Sequence, residues 1–287
     1  MDKVISGPRS IALAAVLWST GGVLIKILPL DPIIIAALRS WFASIALLPF
    51  IRPKELKINF ELIALIISYA WLSVSFVAAT KWTAAANAIA LQSTAPLWVF
   101  MAILIKSKKF SWKEALPVGI IAAGIIVFLL EPAVGTSTLG NLVGLNCGIA
   151  FAITTTLLQR AGGVNGTGII SICNLMAAPL IWMLAPTKLF SVFEIDIKAW
   201  VLLFCLGVFQ LGLGYIFYNR GLKTTTAQKA TMLALLEPVL NPVWVFIFAS
   251  EIPTIYGLLG EALIISGLLA DAIINPNSQE NKSVSGN

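Results

Sequence analysis

Apolar runs of about twenty residues, separated by short polar or basic breaks, follow one another from residue 9 to residue 274. A helix of that length is about 30 Å long, the thickness of a bilayer's hydrocarbon core. Ten such runs are expected, at 9–29, 32–52, 60–80, 84–106, 113–130, 139–159, 165–185, 198–219, 226–249 and 254–274. Because they read as apolar on all faces and are much longer than strands, spanning helices are predicted, and not the alternating strands of a membrane barrel. The expected fold is an all-α polytopic membrane protein with ten transmembrane helices.

Composition strengthens this reading, since only 11% of the residues are charged and the mean hydropathy is +0.94, whereas a soluble domain has about 25% charged residues. The net charge of +6 would suggest nucleic acid in a soluble chain, but here the basic residues collect in alternate loops. If the N-terminus is cytosolic, Lys54, Lys57, Lys106, Lys108, Lys109, Lys113, Arg160, Arg220, Lys223 and Lys229 share its side, while Lys81, Lys188 and Lys198 face outward. The positive-inside rule then places both termini in the cytosol and makes the number of spans even. No loop interleaves bases with aromatics, so nucleic acid is not an expected partner. Cys147, Cys173 and Cys205 all fall inside spans and read as small buried hydrophobes. The first span is too long for a signal-peptide core and is expected to be retained. The polar tail, residues 276–287, is expected to be disordered.

Within this frame the chain repeats itself. "ATKWTAAANAIALQSTAPLW" at 79–98 and "RGLKTTTAQKATMLALLEPVL" at 220–240 each run from a basic residue through Thr and Ala into a span broken by Pro96 or Pro238, and matching positions stay near 142 residues apart. The division expected is 1–133 and 134–275, five spans each. An odd number of spans forces the second repeat to start on the other side of the membrane, the inverted topology that places a ligand between two halves near the midplane.

The second broken span, "LLEPVLNPVW" at 235–244, holds the chain's most exceptional residues. A carboxylate at membrane depth costs roughly 3 kcal/mol on insertion scales and usually faces a bundle interior or a water-filled cavity. Glu237 is therefore the leading candidate for contact with a solute or a proton; the bland alternative is a hydrogen bond to Asn241, one turn on. Pro238 and Pro242 each remove a backbone donor four residues from an earlier carbonyl, on one face. With Pro96, which sits beside Gln92, Ser93 and Thr94, they are candidate hinges, or kinks that merely shape packing. Lys26 and Arg39 are the cations nearest the membrane interior. Lys26 is placed to snorkel to an interface, whereas Arg39 lies deeper and needs an internal partner that the sequence does not name.

Gly140, Gly144 and Gly148 repeat at the GxxxG spacing that brings two backbones together, either inside the bundle or in a homodimer. "AGGVNGTG" at 161–168 lacks the Lys-Ser/Thr of a phosphate loop and reads as a flexible loop. The chain has no histidine, which removes zinc sites of the HExxH kind and His-based triads. No metal and no cofactor are expected.

"ALAAVLWSTGGVLIK" at the start, the paired Pro-containing fourth and ninth spans, and "LLEPVLNPVWVFIFASEIPTIYGLLGEALIISGLL" near the end resemble the EamA-type members of the drug/metabolite transporter superfamily. The resemblance covers essentially the whole chain. It departs from the common pattern at Ser250, which stands where a Gly usually precedes Glu251, at Lys109, and at Ser19. The resemblance implies an exporter of amino acids or other small metabolites in the cell membrane, with a central cavity lined by helices one, three, four, six, eight and nine. On those helices Trp18, Trp98 and Tyr215 would form an apolar wall. Glu261, on the tenth helix, would lie away from the cavity.

The reading is a secondary transporter working by alternating access, as monomer or homodimer, with a small solute and the lipid bilayer as partners and protons as a candidate coupling ion; no enzymatic activity is expected. The competing readings are a non-transporting membrane scaffold or accessory subunit, marked by a dry interface between the halves, and an intramembrane enzyme acting on lipid.

Overall fold

The computed structural model describes residues 6–52, 58–130, 137–161, 166–249 and 255–275; the side chains at 128, 241, 242 and 245–249 lie outside that description. All regular structure among the described residues is helical. The first half of the chain supplies α1 (Gly7–Ser19), α2 (Gly21–Ile27), α3 (Pro32–Leu47), α4 (Phe60–Trp82), α5 (Ala85–Gln92), α6 (Ala95–Ser107) and α7 (Trp112–Leu129). The second supplies α8 (Thr138–Ala161), α9 (Gly166–Trp182), α10 (Ile197–Cys205), α11 (Gly214–Leu222), α12 (Ala227–Leu233), α13 (Leu236–Ala249) and α14 (Ile255–Ile274).

Helix starts follow from capping chemistry. The carboxylates of Asp31 and Asp196 accept the backbone N–H groups of Ile33 and Ala199, the Asn59 amide oxygen accepts that of Leu62, and the Thr226 hydroxyl accepts that of Lys229. Each satisfies a donor that the first helical turn leaves without a partner. Pro32 follows Asp31 at the first helical position, where its missing N–H is harmless.

Seven helical stretches among the described residues are long and apolar enough to cross a membrane: Gly7–Ile27, Pro32–Phe50, Phe60–Trp82, Ala85–Ser107, Thr138–Ala161, Ile197–Leu222 and Ile255–Ile274. An eighth is reached if α9 and the 3-10 turns of Pro186–Glu194, bent by 103° from it, count as one. The other expected runs, 113–130 and 226–249, are present as α7, with Lys113 and Glu114 in its first turn, and as the broken pair α12 and α13. The outward surface keeps large apolar side chains exposed, among them Trp41, Ile45, Ile67, Trp71, Phe204, Phe209 and Leu269. An apolar surface of that extent belongs against lipid, so the chain is a multi-pass membrane protein.

Three spans are interrupted, and each break has a local cause. The first divides at Thr20, before Gly21 and Gly22. The fourth divides at Ser93 and Thr94, just ahead of Pro96, and the ninth at Ala234 and Leu235, just ahead of Pro238. Pro238 cannot donate to the Ala234 carbonyl; that oxygen instead accepts the N–H of Glu237 at 2.9 Å, a tighter i to i+3 turn. The helix runs past position 242 without a break.

The glycines of α8 pack inside the bundle. A Cβ at Gly140 would lie 2.8 Å from the backbone of Thr83, and one at Gly148 would lie 2.7 Å from the Leu91 carbonyl oxygen. These glycines let α8 lie directly against α5 and the turn before it. The three cysteines are free, with Cys147 and Cys173 buried. In the stretch 161–168, Ala161 ends α8 and Gly166 begins α9, and Gly166 and Gly168 are buried. Residues 162–165 lie outside the described residues.

Candidate functional site

The bundle holds a cavity whose lining comes from both halves of the chain. Trp18 projects from α1, Arg39 from α3, Tyr69 and Ser73 from α4, Gln92 from the end of α5, and Glu237 from the start of α13. Phe151 of α8 and Gln210 and Tyr215 of the eighth span complete it. The broken fourth and ninth spans bring their polar ends together here, where the Gln92 amide Nε2 donates to Glu237 Oε2 at 3.2 Å. The Gln92 carbonyl oxygen faces the other way and accepts from the Cys147 thiol at 3.3 Å. One amide therefore ties α5, α8 and α13 to a single point.

Arg39 is 3% exposed, as is Glu237. Its Nη2 lies 3.4 Å from both the backbone and the hydroxyl oxygen of Ser73, and its guanidinium carbon sits 5.4 Å from the centre of the Phe76 ring. Among the described residues its Nε and Nη1 have no hydrogen-bond partner, nor have Trp18 Nε1 and Gln210 Oε1. The cation and the carboxylate thus face one space without touching. The space is narrow, with about 40 Å³ accessible to water-sized molecules. A second, smaller gap behind Gln92 and Glu237 is walled by Ser93, Pro96, Thr231 and Leu235, between the two breaks.

Gln210 reaches the cavity because the backbone widens. Residues Leu206–Leu213 form π-helical turns between α10 and α11, a geometry that often accompanies functional sites. Gly207 at its start has no room for a side chain, since a Cβ there would lie 2.7 Å from the Arg39 carbonyl oxygen. This span approaches α3 closely, and Gln210 shares the cavity lining with Arg39 while its Nε2 donates to the Trp18 carbonyl at 3.4 Å. Trp18, Tyr215 and Tyr218 stack in an aromatic cluster, with ring centres of Trp18 and Tyr215 5.0 Å apart. The Tyr69 hydroxyl donates to Asn174 at 2.9 Å.

Polar contacts gather at both ends of α8. At the N-terminal end of α8, the Thr83 hydroxyl donates to Asn141 Oδ1 at 2.8 Å and accepts from the Ser137 N–H at 3.3 Å. Lys26 strengthens this end by donating to the carbonyls of Thr80 and Thr83, and Lys81 donates to that of Leu28. At the C-terminal end of α8, Gln159 donates to the Thr225 carbonyl at 2.6 Å and accepts from the Ala227 N–H. The start of α1 presses on the same turn: a Cβ at Gly7 would lie 2.8 Å from the Thr225 hydroxyl.

Of the residues singled out in the sequence, Glu237, Gln92, Trp18 and Tyr215 meet at the cavity. Trp98 does not line it; its indole N–H donates to the Thr94 hydroxyl at 3.0 Å, beside the break. Pro96 and Pro238 stand just after the two breaks. The side chains of Asn241 and Pro242 lie outside the described residues, as does Glu251. Lys26 reaches backbone carbonyls at one end of the bundle, and Glu261 sits on α14, which packs against α7 away from the cavity. Arg39 adds the second span to the lining. Tyr69, Ser73, Phe151 and Gln210 carried no signal in the sequence; only the glycines around Gln210 hinted at close packing there.

A bundle of membrane-spanning helices around a small charged cavity is the architecture of a membrane transport protein. The model of the EamA-like transporter family matches residues 6–130 and 138–270, and the chain belongs to that family. It is 27% identical to an uncharacterized transporter of Archaeoglobus fulgidus over 92% of this chain and 95% of that one. It is 26% identical to an uncharacterized transporter in the sor 3′ region of Acidianus ambivalens, over 71% of this chain and 80% of that one. A solved crystal structure shares the fold at a TM-score of 0.70 and 16% identity, covering 93% of this chain and 96% of its own. The protein is thus a multi-pass transporter-family protein of the cell membrane.

Proposed function

We propose that the chain is a secondary transporter that exports small amphipathic metabolites, amino acids foremost, by alternating access at the cavity between two inverted five-helix repeats, 1–133 and 134–275. Both termini lie in the cytosol, and the ends of α8 that meet Thr83 and Thr225 form the outer and inner closures. The observation that carries this reading is the hydrogen bond from Gln92 to Glu237, which joins the broken helix of one half to that of the other across the cavity. The closures support it too. In each, a turn of one half meets the start of the first helix of the other: Thr83 with Ser137 and Asn141, and Thr225 with Gly7. Relative rocking of the halves would open either closure while keeping the other shut.

In this reading a solute reaches the cavity from one side when that side's closure opens. Glu237 either takes the solute's cationic group or carries a proton in exchange. A dry interface would favour a scaffold, but a guanidinium, a carboxylate and two amides line this one. The test is uptake into proteoliposomes under an imposed pH gradient, after a ligand-stabilisation screen over amino acids, nucleosides and sugar phosphates has chosen the solute. Glu237→Gln is expected to abolish the response to the gradient. Equal transport and an identical pH response in that variant would remove the proton from the mechanism.

A further inference from the structure

Arg39 is a buried cation with most of its hydrogen-bonding capacity unused. A guanidinium presents five N–H donors in a planar fork. Nη2 makes only two long contacts, both to Ser73, while the single N–H of Nε and the pair on Nη1 have no partner among the described residues. Either edge of the guanidinium that matches a carboxylate with two parallel hydrogen bonds pairs Nη2 with Nε or with Nη1, so a carboxylate there takes an unused donor and replaces a long Ser73 contact. A charge left this way at membrane depth is expensive unless something occupies the site.

The rest of the lining describes what that occupant is. Gln210 Oε1 adds an unused acceptor. Across the same space stands the Glu237 carboxylate, which accepts from Gln92 alone among the described residues. The rings of Tyr69, Phe76, Phe151 and Tyr215 line the same space. A molecule with an anionic end, a cationic end and an apolar body satisfies all of these at once. An amine without an acid would leave Arg39 unpaired, and an acid without an amine would set its charge beside Glu237. Selectivity by leaving a buried charge unpaired is the strong kind.

We propose that Arg39 is the carboxylate anchor of this cavity and a specificity-determining residue, holding a zwitterionic solute with its acid toward α3 and its ammonium toward Glu237 on α13. The inference rests on the reading of the cavity as the solute site. Water-sized molecules find about 40 Å³ in the cavity, so a bound solute displaces the water that fills it.

The test measures thermal stabilisation of the purified full-length protein by two pools: the proteinogenic amino acids, and the corresponding amino-acid amides, which keep the ammonium and side chain but lack the carboxylate. Wild type is expected to be half-stabilised by the acid pool at a concentration at least tenfold below that of the amide pool. Arg39→Gln is expected to erase that ratio, and Arg39→Lys, which keeps the charge but not the fork, to retain some of it. Should Arg39→Gln fail to fold, Arg39→Lys and the wild-type ratio still decide. Equal stabilisation by the two pools, stabilisation by neither, or an unchanged ratio in the folded variants overturns the proposal. Transport of a neutral or purely cationic solute through a cavity that opens at alternate ends would overturn the anchor while leaving the transporter reading standing.

Discussion

A tight contact beside the site involves no charge at all. Gly148 faces the break between α5 and α6, and a Cβ there would lie 2.7 Å from the Leu91 carbonyl oxygen and 3.2 Å from that of Gln92, with the Thr94 hydroxyl overlapping as well. The hydroxyl can rotate away, but a backbone carbonyl cannot. Restoring ordinary contact with Leu91 needs a shift of about 0.7 Å, and overpacking of this kind costs about 1–3 kcal/mol. The Gln92 to Glu237 bond is already 3.2 Å long, and such a displacement would break it. Gly148→Ala is therefore expected to lower the thermal midpoint in detergent by several degrees and to weaken solute uptake. Adding Thr94→Ala should restore only a fraction of the loss, because the carbonyl overlap remains. Gly119 supplies the control, since a Cβ there meets nothing within 4 Å; Gly119→Ala should be neutral or slightly stabilising through helix propensity. A wild-type midpoint and wild-type uptake in Gly148→Ala would refute the packing argument.

Three further substitutions separate structural from functional polar groups. Gln92→Met removes the link between the broken helices and should reduce uptake at least tenfold, measured in proteoliposomes at equal reconstitution, while the protein remains folded. Lys26→Met removes a cation from the carbonyls at the end of α4, which should cost about 0.5–1 kcal/mol and speed thiol labelling at Thr83→Cys. Lys188→Ala breaks the ion pair with Asp31 at 3.1 Å, whose side chains are 46% and 28% exposed. Pairs of that kind contribute about 0–1 kcal/mol, so thermal midpoint and uptake should both stay near wild type.

Much of the fold was legible in the chain because membrane helices are written in long apolar runs whose breaks are charged, and because Pro96 and Pro238 mark backbone positions that cannot complete a helical ladder. Glu237 and Arg39 stood out for the same reason: charge at that depth demands an explanation. The partner of Arg39 was not legible, since Ser73 is an ordinary serine on an apolar helix and Phe76 one of many aromatics. Gln210 was hidden for a different reason. Its place depends on π-helical turns, and hydrophobic periodicity does not report where a helix widens. Trp98 was expected at the cavity because the family resemblance assigns the fourth span to its lining; beyond the break at Ser93 and Thr94 its indole donates to the Thr94 hydroxyl.

The most direct measurement locks one closure. In a chain with Cys147, Cys173 and Cys205 replaced, Thr83→Cys and Asn141→Cys stand where the two native side chains share a 2.8 Å hydrogen bond. Joining them with a disulfide or a short thiol cross-linker should abolish uptake of the screened solute into proteoliposomes, and cleaving the link should restore it, while either cysteine alone transports. Undiminished uptake with the pair fully cross-linked would contradict alternating access at this cavity.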